Sequence, residues 1–270
     1  MEQLQGVEGV RPTAFSTAYT YHKMKTIIQE FLSEALSGGG RVLDVGCNRG
    51  YDMMRLAERM QSLKIYGLDV SRDDVRVAAE RARLTQNPEI FAFVLSLVEK
   101  APFRDGVFDA IICSEVVEHL PDPAAALREI SRLLRPGGVL ALTTPNSGNK
   151  LHKLRKFLPG TVRAKADEWQ EMQREIDRTR RTAPGVNLPH ISELSSKEWC
   201  EMCRGVGLDV AEVRRGSLLF GDPYLESHPV RWAAAVILDR FLDRISDDWS
   251  WQVLIKAKKG ANANERAGVV

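Results

Sequence analysis

The segment from Val42 to Gly50 carries the strongest chemical signal in the sequence. It begins with a short apolar run that contains an acid, Asp44, and continues into a glycine-containing turn. The glycines Gly46 and Gly50 let the backbone approach a ligand closely, and a helix that starts after such a turn can accept an anionic group at its N-terminus. Nineteen residues past Gly50, a second apolar run ends in Asp69, whose carboxylate can accept both hydroxyls of a ribose. The pattern predicts a nucleoside-type ligand.

The residues of the turn narrow the choice of ligand. A dinucleotide fingerprint requires G-x-G-x-x-G, but Asn48 stands at the middle glycine position and would crowd a pyrophosphate. Asp44 is also unfavourable beside a diphosphate, whereas it suits a ligand that carries an ammonium group. The turn therefore favours an adenosine-type ligand with an amino-acid end.

The elements that would position these residues alternate between strand and helix. Apolar runs bounded by turn residues predict seven strands, namely 41–45, 64–69, 90–95, 108–113, 139–144, 208–213 and 251–257. Helical spacing and capping residues predict helices at 21–36, 51–60, 71–84, 122–134, 195–204 and 230–245. This alternation is typical of a parallel sheet covered on both faces, which binds ligands beyond the carboxyl ends of its strands.

Composition excludes several classes of protein. The chain has 270 residues, 44% of them hydrophobic, with 38 Lys plus Arg against 36 Asp plus Glu, so it is not a disordered chain. It has no apolar run long enough for a membrane span and no secretory leader pattern at its N-terminus. Four cysteines do not make a disulfide framework in a chain of this length, so a reducing, cytoplasmic location is expected.

Four strings in the first half of the chain resemble, in order, the motifs of a known family. They are VLDVGCNRG at 42–50, GLDVS at 67–71, EKAPFRDGVFDAIICSEVVEHLPDP at 99–123 and LLRPGGVLALTTPN at 133–146. The family is the class I S-adenosylmethionine-dependent methyltransferases, and the likeness is to the small-molecule group that includes ubiquinone-biosynthesis methyltransferases. It implies S-adenosyl-L-methionine as cofactor and an α/β, Rossmann-like fold. That fold has a seven-stranded, mostly parallel sheet, helices on both faces and a helical lid inserted after the fifth strand.

The resemblance also implies a set of cofactor-binding residues. The glycine turn would line the methionine end, Asp69 would hold the ribose, Val70 would pack on the adenine, and Ser114 would lie near the sulfonium. Many relatives bind the adenine amine with an acid where this chain has Leu97, so Val98 and Glu99 are expected to serve instead. The full predicted set is Asp44, Gly46, Cys47, Asn48, Gly50, Asp69, Val70, Val98, Glu99 and Ser114.

Catalytic candidates follow the fourth strand. Methyl transfer by in-line displacement needs an aligned acceptor in a dry site, and a base only if the acceptor must lose a proton. Glu115, His119 and His190 are the candidates, and the imidazole of His119 could act as the base. The alternative is that Glu115 and His119 only hydrogen-bond to the backbone and shape the cofactor pocket.

The string Glu115-x-x-Glu118-His119 also resembles the E-x-x-E-H metal motif of small-RNA 2′-O-methyltransferases and of some ubiquinone-pathway O-methyltransferases. With His190 it would offer two carboxylates and two imidazoles to a divalent metal ion, which would polarise the accepting hydroxyl. Many relatives carry a similar string without metal, so both interpretations stay open.

The domain organisation predicted from these elements is a single methyltransferase domain with additions. Residues 1–37 form an N-terminal cap helix region, 38–146 the cofactor-binding core, 147–190 a substrate lid, 191–259 the C-terminal part and 260–270 a disordered tail. A basic excess and Trp169 in the lid hint at an aromatic or anionic acceptor. The apolar helix at 230–245 is expected to pack on the sheet, with a membrane surface or a second subunit as alternatives.

Three functions are compatible with these features. The preferred one is methyl transfer to an oxygen or nitrogen of a small-molecule acceptor. The second is nucleic-acid methylation, including metal-assisted 2′-O-methylation, against which the near-neutral composition speaks. The third is a protein that has kept the fold and binds a ligand but does not catalyse the reaction. Against it stands the presence of the candidate cofactor-binding residues Asp44, Gly46, Gly50 and Asp69. The sequence is compatible with a homodimer.

Overall fold

A computed structural model describes residues 14–148, 190–192, 194–216, 229–242 and 250–260 of the chain. Nearly all of the predicted lid (149–189) and of the predicted tail (261–270) lies outside the described residues. The lid, the tail and the proposed domain boundaries therefore stay predictions.

The centre of the fold is a seven-stranded sheet with strand order β3-β2-β1-β4-β5-β7-β6. Pairing is parallel from β3 to β5, and β7 runs antiparallel to both of its neighbours. This confirms the predicted mostly parallel, Rossmann-like sheet. The strands are β1 Gly40–Val45, β2 Leu63–Asp69, β3 Phe91–Leu95, β4 Phe108–Ser114, β5 Leu134–Pro145, β6 Leu208–Arg215 and β7 Gln252–Lys259.

Six α-helices are described around the sheet, and three of them start with the side-chain caps that the sequence predicts. Ser71 accepts a hydrogen bond from the Asp74 amide, Asp122 accepts one from the Ala125 amide, and Ser195 forms a full capping box with Glu198. The helices are α1 Ala14–Ser33, α2 Tyr51–Arg59, α3 Arg72–Arg83, α4 Pro123–Leu133, α5 Ser196–Gly205 and α6 Pro229–Leu242. None of these helices combines the length and apolarity that crossing a membrane requires.

Apolar side chains bury both faces of the sheet. On one face, strand residues such as Leu43 and Ile111 pack with Leu127 of α4 and Trp199 of α5. On the other face, strand residues pack against α1 and α2. Successive strand residues point to opposite faces, so one apolar run serves both clusters. Because helices pack on both faces of the sheet, the carboxyl ends of its strands are held in fixed positions.

Two boundaries differ from the sequence prediction by more than three residues. Helix α1 begins at Ala14, seven residues before the predicted start. Strand β5 begins at Leu134, although Pro136-Gly137-Gly138 was expected to separate α4 from a strand starting at Val139. The strand continues through these residues because its pairing with β4 is irregular there and Gly137 takes a positive φ of 75°.

Candidate functional site

The carboxyl ends of β1, β2 and β4 lie side by side and bring the predicted polar residues to one edge. Asp44 lies near the end of β1, Asp69 ends β2 and Ser114 ends β4, with β1 between the other two strands. In open α/β sheets this edge is where ligands bind.

The conformation of the turn that follows β1 requires glycine at position 46. Gly46 has φ +69°, and a Cβ there would lie 2.3 Å from Cγ2 of Val116. The amides of Gly46 and Cys47 both donate to the carbonyl oxygen of Leu68, at 2.8 and 3.1 Å. Gly50, with φ +77°, precedes α2. The turn is therefore held tightly against the end of β2.

Asn48 completes this turn in a left-handed conformation with φ 46°, which asparagine tolerates better than most residues. Its amide donates to Oδ2 of Asp69 at 2.8 Å, and its own Oδ1 accepts from the Arg49 amide at 2.7 Å. The Ser71 amide donates to Oδ1 of Asp69 at 2.9 Å. Two backbone donors thus fix the carboxylate, and each oxygen keeps acceptor capacity for a ligand.

The residues predicted to contact the adenine differ in their exposure to solvent. Val70 is 57% exposed beside the end of β2, so its side chain is available to a ligand. Val98 is buried in the core, which leaves only its backbone for contact. Glu99 has a buried Oε2 that accepts no hydrogen bond from the described part of the chain. A buried carboxylate oxygen without a donor is costly unless a ligand supplies one.

Lys25 is a site residue that the sequence interpretation missed. It extends from α1 to pair with Asp52 in the first turn of α2, and its Nζ donates to Oγ of Ser114 at 3.2 Å. Its side chain is only 16% exposed. The available signal was its spacing, three residues before buried Ile28 and seven before buried Leu32, which places it at the edge of the inner face of α1.

Asp44 is buried among charges of both signs. Burial raises its pKa well above the usual range, the Asp52 and Asp69 carboxylates raise it further, and the Lys25 ammonium opposes them. A cationic ligand at this edge would stabilise the ionised form of Asp44.

A chain of hydrogen bonds links Lys25 to Glu115. Oγ of Ser114 lies 3.0 Å from Oγ1 of Thr143, and Thr143 donates to Oε1 of Glu115 at 3.1 Å. Glu115 has a left-handed φ of 55°, and its amide donates to the Thr143 carbonyl. Burial raises the pKa of Glu115, while the hydrogen bond from Thr143 and the charge of Lys25 counteract the shift.

Glu118, His119 and His190 form a second cluster. Their ligand atoms all lie within 4.8 Å of one another, and the two imidazole rings are 5.0 Å apart between centroids. His190 reaches this place because the next two residues, Ile191 and Ser192, donate their amides to the Glu118 carbonyl at 2.8 and 3.0 Å. The structure thus brings His190 to the turn that follows β4, and its catalytic role stays a prediction.

Glu118 has an unusual environment for a carboxyl group. It is 1% exposed, and burial together with the nearby Glu115 carboxylate raises its pKa to about 9. Its Oε2 accepts from Oγ1 of Thr144 at 3.3 Å, but its Oε1 has no hydrogen-bond partner among the described residues. A divalent cation would satisfy this oxygen, so the cluster fits a metal ion by the chemistry of its donors. Glu115, the first acid of the motif, lies outside this three-residue group and bonds to Thr143 instead.

All four cysteines are free and buried. Cys47 and Cys113 lie in the core, and burial raises the pKa of both thiols. The side chain of Cys47 therefore faces the core, so any contact with a ligand would come from its backbone. Cys200 and Cys203 of α5 pack in the core cluster that also contains residues of α4.

Comparison with known proteins agrees with this architecture. The methyltransferase domain family matches residues 17–213. A ubiquinone biosynthesis O-methyltransferase from Alkalilimnicola ehrlichii is 31% identical over 170 residues, 60% of this chain and 68% of that protein. Its counterpart from Xanthomonas oryzae pv. oryzae is 37% identical over 128 residues, 46% of this chain and 52% of that protein. The matches thus cover 68% of the first of these relatives and 52% of the second.

Solved structures share the fold at low identity. Burkholderia thailandensis 1,6-didemethyltoxoflavin-N1-methyltransferase, determined with S-adenosylhomocysteine, superposes with a TM-score of 0.54 at 17% identity. The match covers 90% of this chain and 81% of that one. At this identity the likeness concerns the fold alone.

The sheet order and the polar edge define a class I methyltransferase architecture. The match over most of the chain then shows that the protein belongs to the methyltransferase domain family, as an S-adenosylmethionine-dependent methyltransferase similar to the ubiquinone biosynthesis O-methyltransferases.

Proposed function

We propose that the protein transfers a methyl group from S-adenosyl-L-methionine to a hydroxyl oxygen of a small-molecule acceptor. The single observation that carries the proposal is the meeting of His119 and His190, with ring centroids 5.0 Å apart, beside the turn that follows β4. The O-methyltransferase relatives favour oxygen over nitrogen as the accepting atom.

The cofactor would lie across the ends of β1 and β2. Asp69 would accept the ribose hydroxyls, Val70 would cover one face of the adenine, and Oε2 of Glu99 would accept from the adenine amine. Asp44, buried and without a full counter-charge, would face the ammonium end. Support comes from the exposure of Val70 and from Oε2 of Glu99, which accepts no hydrogen bond from the residues that the structure describes.

Lys25 would bind the carboxylate of the methionine end. Its ammonium has three hydrogens, of which Asp52 and Ser114 take two, so one remains for a third acceptor. The carboxylate would share this cation with Asp52, and α1 would thereby become part of the cofactor site. This contact gives the N-terminal helix a direct role in binding.

The acceptor would lie between the cofactor and the two histidines. S-Adenosylmethionine supplies an activated methyl group on a cationic sulfur, so the chain has mainly to align the acceptor and exclude water. The acceptor oxygen forms the new bond to the methyl carbon as the carbon–sulfur bond breaks, and the hydroxyl proton passes to an imidazole of His119 or His190. An aryl hydroxyl, with a pKa near 10, suits such a base better than an alkyl hydroxyl does.

Methyl transfer to a panel of acceptors tests this proposal. The full chain is incubated with methyl-labelled S-adenosylmethionine and with aryl alcohols, aryl amines and RNA, and the products are identified by mass spectrometry. O-Methylated aryl products are expected. Methylation of amines alone would overturn the choice of oxygen, and methylation of RNA alone would establish the nucleic-acid alternative.

A metal-assisted variant of the same transfer is the second candidate. It is favoured by Oε1 of Glu118, which accepts no hydrogen bond from the described residues and lies 3.9 Å from Nε2 of His119. Glu118, His119 and His190 would hold a divalent cation, which would lower the pKa of the accepting hydroxyl. Loss of turnover in excess chelator and recovery with Mg²⁺ or Zn²⁺ would support it. Full turnover in chelator would contradict the metal-assisted variant and favour a histidine that acts as the base without a metal ion.

A further inference from the structure

Gln252, the first residue of β7, has a buried side-chain amide. The residue is 8% exposed, and its Oε1 accepts no hydrogen bond from the residues that the structure describes. A buried amide oxygen without a donor costs free energy, and such atoms are rare in folded proteins. The oxygen therefore indicates a place where a bound molecule supplies the donor.

The position of Gln252 in the sheet places it on the acceptor side of the site. Gln252 pairs with Pro145, two residues beyond Thr143, and Thr143 pairs with Ser114 at the end of β4. Neighbouring strands lie about 4.8 Å apart, so β7 is roughly 10 Å from β4. It is further still from the ends of β1 and β2, where the cofactor would lie.

The side chain of Gln252 lies on the same face of the sheet as α1. Val253 packs in the cluster with α4 and α5, whereas Leu254 packs in the cluster with α1 and α2. Because successive strand residues point to opposite faces, Gln252 shares the face of Leu254. Lys25 reaches Ser114 from this face, so the amide and the Lys25 ammonium border the same part of the carboxyl edge.

A hydrogen bond to Glu115 shows which end of the amide is free. The side chain of Gln252 hydrogen-bonds to the Glu115 carboxyl and counteracts the rise of its pKa on burial, as a donor to the ionised form does. The NH₂ end of the amide therefore faces Glu115, and Oε1 points elsewhere. Glu115 in turn raises the pKa of Glu118, so one carboxyl group connects Gln252 to the cluster of Glu118, His119 and His190.

Gly216 leaves the position beside Oε1 free of a side chain. A Cβ at Gly216 would lie 3.3 Å from Oε1 and 3.0 Å from Cβ of Gln252. The backbone here is held in place, because the Gly216 amide and Oγ of Ser250 donate to the Gln252 carbonyl at 2.8 and 2.6 Å. A polar group of a ligand would occupy the room that a larger residue at position 216 would fill.

We propose that Gln252 is a specificity-determining residue of the acceptor site, whose Oε1 accepts a hydrogen bond from a second O–H or N–H group of the acceptor. The preferred acceptors are then small molecules that carry a donor besides the hydroxyl that is methylated. This inference rests on the proposed function, which supplies that hydroxyl. A site that hydrogen-bonds a substrate group rejects an analogue without the group, because the buried oxygen is then left unpaired.

Paired acceptors test this role in the full chain. Dihydroxybenzenes and dihydroxynaphthalenes are compared with the methylphenols and methylnaphthols in which a methyl group replaces the second hydroxyl. Calorimetry measures their binding to the complex of the protein with S-adenosylhomocysteine, and kcat/KM is measured with S-adenosylmethionine. The unchanged protein should prefer the dihydroxy member of at least one pair by about tenfold or more, and Gln252→Met should reduce this preference to about twofold or less.

Two further variants separate recognition of the acceptor from a structural role. Gln29→Met is the matched control, because Gln29 is also 8% exposed but its Oε1 already accepts from Nη1 of Arg59 at 2.9 Å. It should keep the full preference for the dihydroxy compounds. Gly216→Ala retains the amide but fills the room beside Oε1, so it should reduce the preference as Gln252→Met does.

Affinity for S-adenosylhomocysteine should be the same in all variants, which shows that they are folded. Equal binding of the paired acceptors by the unchanged protein, or no binding of any dihydroxy compound, would overturn the role of Gln252. So would an undiminished preference in Gln252→Met. Should that variant fail to bind S-adenosylhomocysteine, Gly216→Ala decides in the same way. Failure of the unchanged protein to bind S-adenosylhomocysteine would instead count against the proposed function itself.

Discussion

Nζ of Lys25 lies 3.2 Å from Oγ of Ser114, although 89 residues separate the two in sequence. The contact joins the N-terminal helix to the end of β4 and continues through Thr143 to Glu115. A cation from α1 thereby enters an edge that otherwise carries the carboxylates Asp44 and Asp69. Under the proposed function, the N-terminal helix would therefore form part of the cofactor site.

Replacement of Lys25 tests that role. Lys25→Met should weaken binding of S-adenosylhomocysteine by about 1.5–3 kcal/mol, the range for a hydrogen bond to a charged group, which is roughly ten- to hundredfold in Kd. Lys25→Arg should retain most of the affinity. The matched control is Lys23→Met on the same helix, which removes a partner of Asp239 and should lower stability without changing affinity. Equal losses in the two methionine variants would contradict the assignment.

Asp44 should make cofactor binding depend on pH. Its pKa is raised in the free protein because the group is buried and lies near Asp52 and Asp69. A cationic ligand favours the ionised form, so binding should release a proton, and affinity should rise with pH below the pKa of the free protein, by at most about tenfold per pH unit. Calorimetry in buffers of different ionisation enthalpy measures this proton. An unchanged proton count in Asp44→Asn would show that another group is responsible.

The two histidines should affect turnover more than binding. If one of them accepts the hydroxyl proton, His119→Ala or His190→Ala should lower turnover by about 10²–10⁴-fold, with little change in affinity for S-adenosylhomocysteine. His22→Ala, at an exposed position of α1, is the control and should leave both unchanged. Full turnover in both site variants would leave the histidines with a structural role only.

Glu118 should make the protein less stable at high pH when metal is removed. Its pKa is raised from 4.5 to about 9, so the folded state keeps a proton that the unfolded state loses above pH 4.5. The stabilisation is complete below about pH 4.5 and is lost as the pH rises towards 9. With chelator present, the free energy of unfolding should fall by up to about 1.4 kcal/mol per pH unit in this window. Glu118→Gln should flatten the slope in denaturant titrations, and an equally steep slope in this variant would contradict the shifted pKa.

The sheet and the helix starts could be predicted because their signals are local. Apolar runs bounded by turns define the strands, and Ser71, Asp122 and Ser195 cap helices with their own side chains. The passage of β5 through Pro136-Gly137-Gly138 could not be predicted, because the irregular pairing with β4 that tolerates it is a tertiary feature.

The site could be predicted only in part, because some of its contacts are also tertiary features. The turn residues and Asp69 are recognisable by type and spacing, and the structure brings them together. Lys25 was missed because helical spacing shows which face of α1 is buried and says nothing of what that face meets. Glu115 and Glu118 looked equivalent in the motif, yet the left-handed backbone of Glu115 directs it to Thr143 while Glu118 faces the histidines.

Calorimetric titration with S-adenosylhomocysteine and with NAD tests the central claim most directly. Binding of one S-adenosylhomocysteine per chain and no binding of NAD are predicted. Asp69→Ala should weaken the former by about 1–3 kcal/mol, because the ribose hydroxyls lose their acceptor. The control Asp209→Asn, at an exposed position of β6, should bind normally. An absence of heat with S-adenosylhomocysteine, or saturable binding of NAD, would contradict the account.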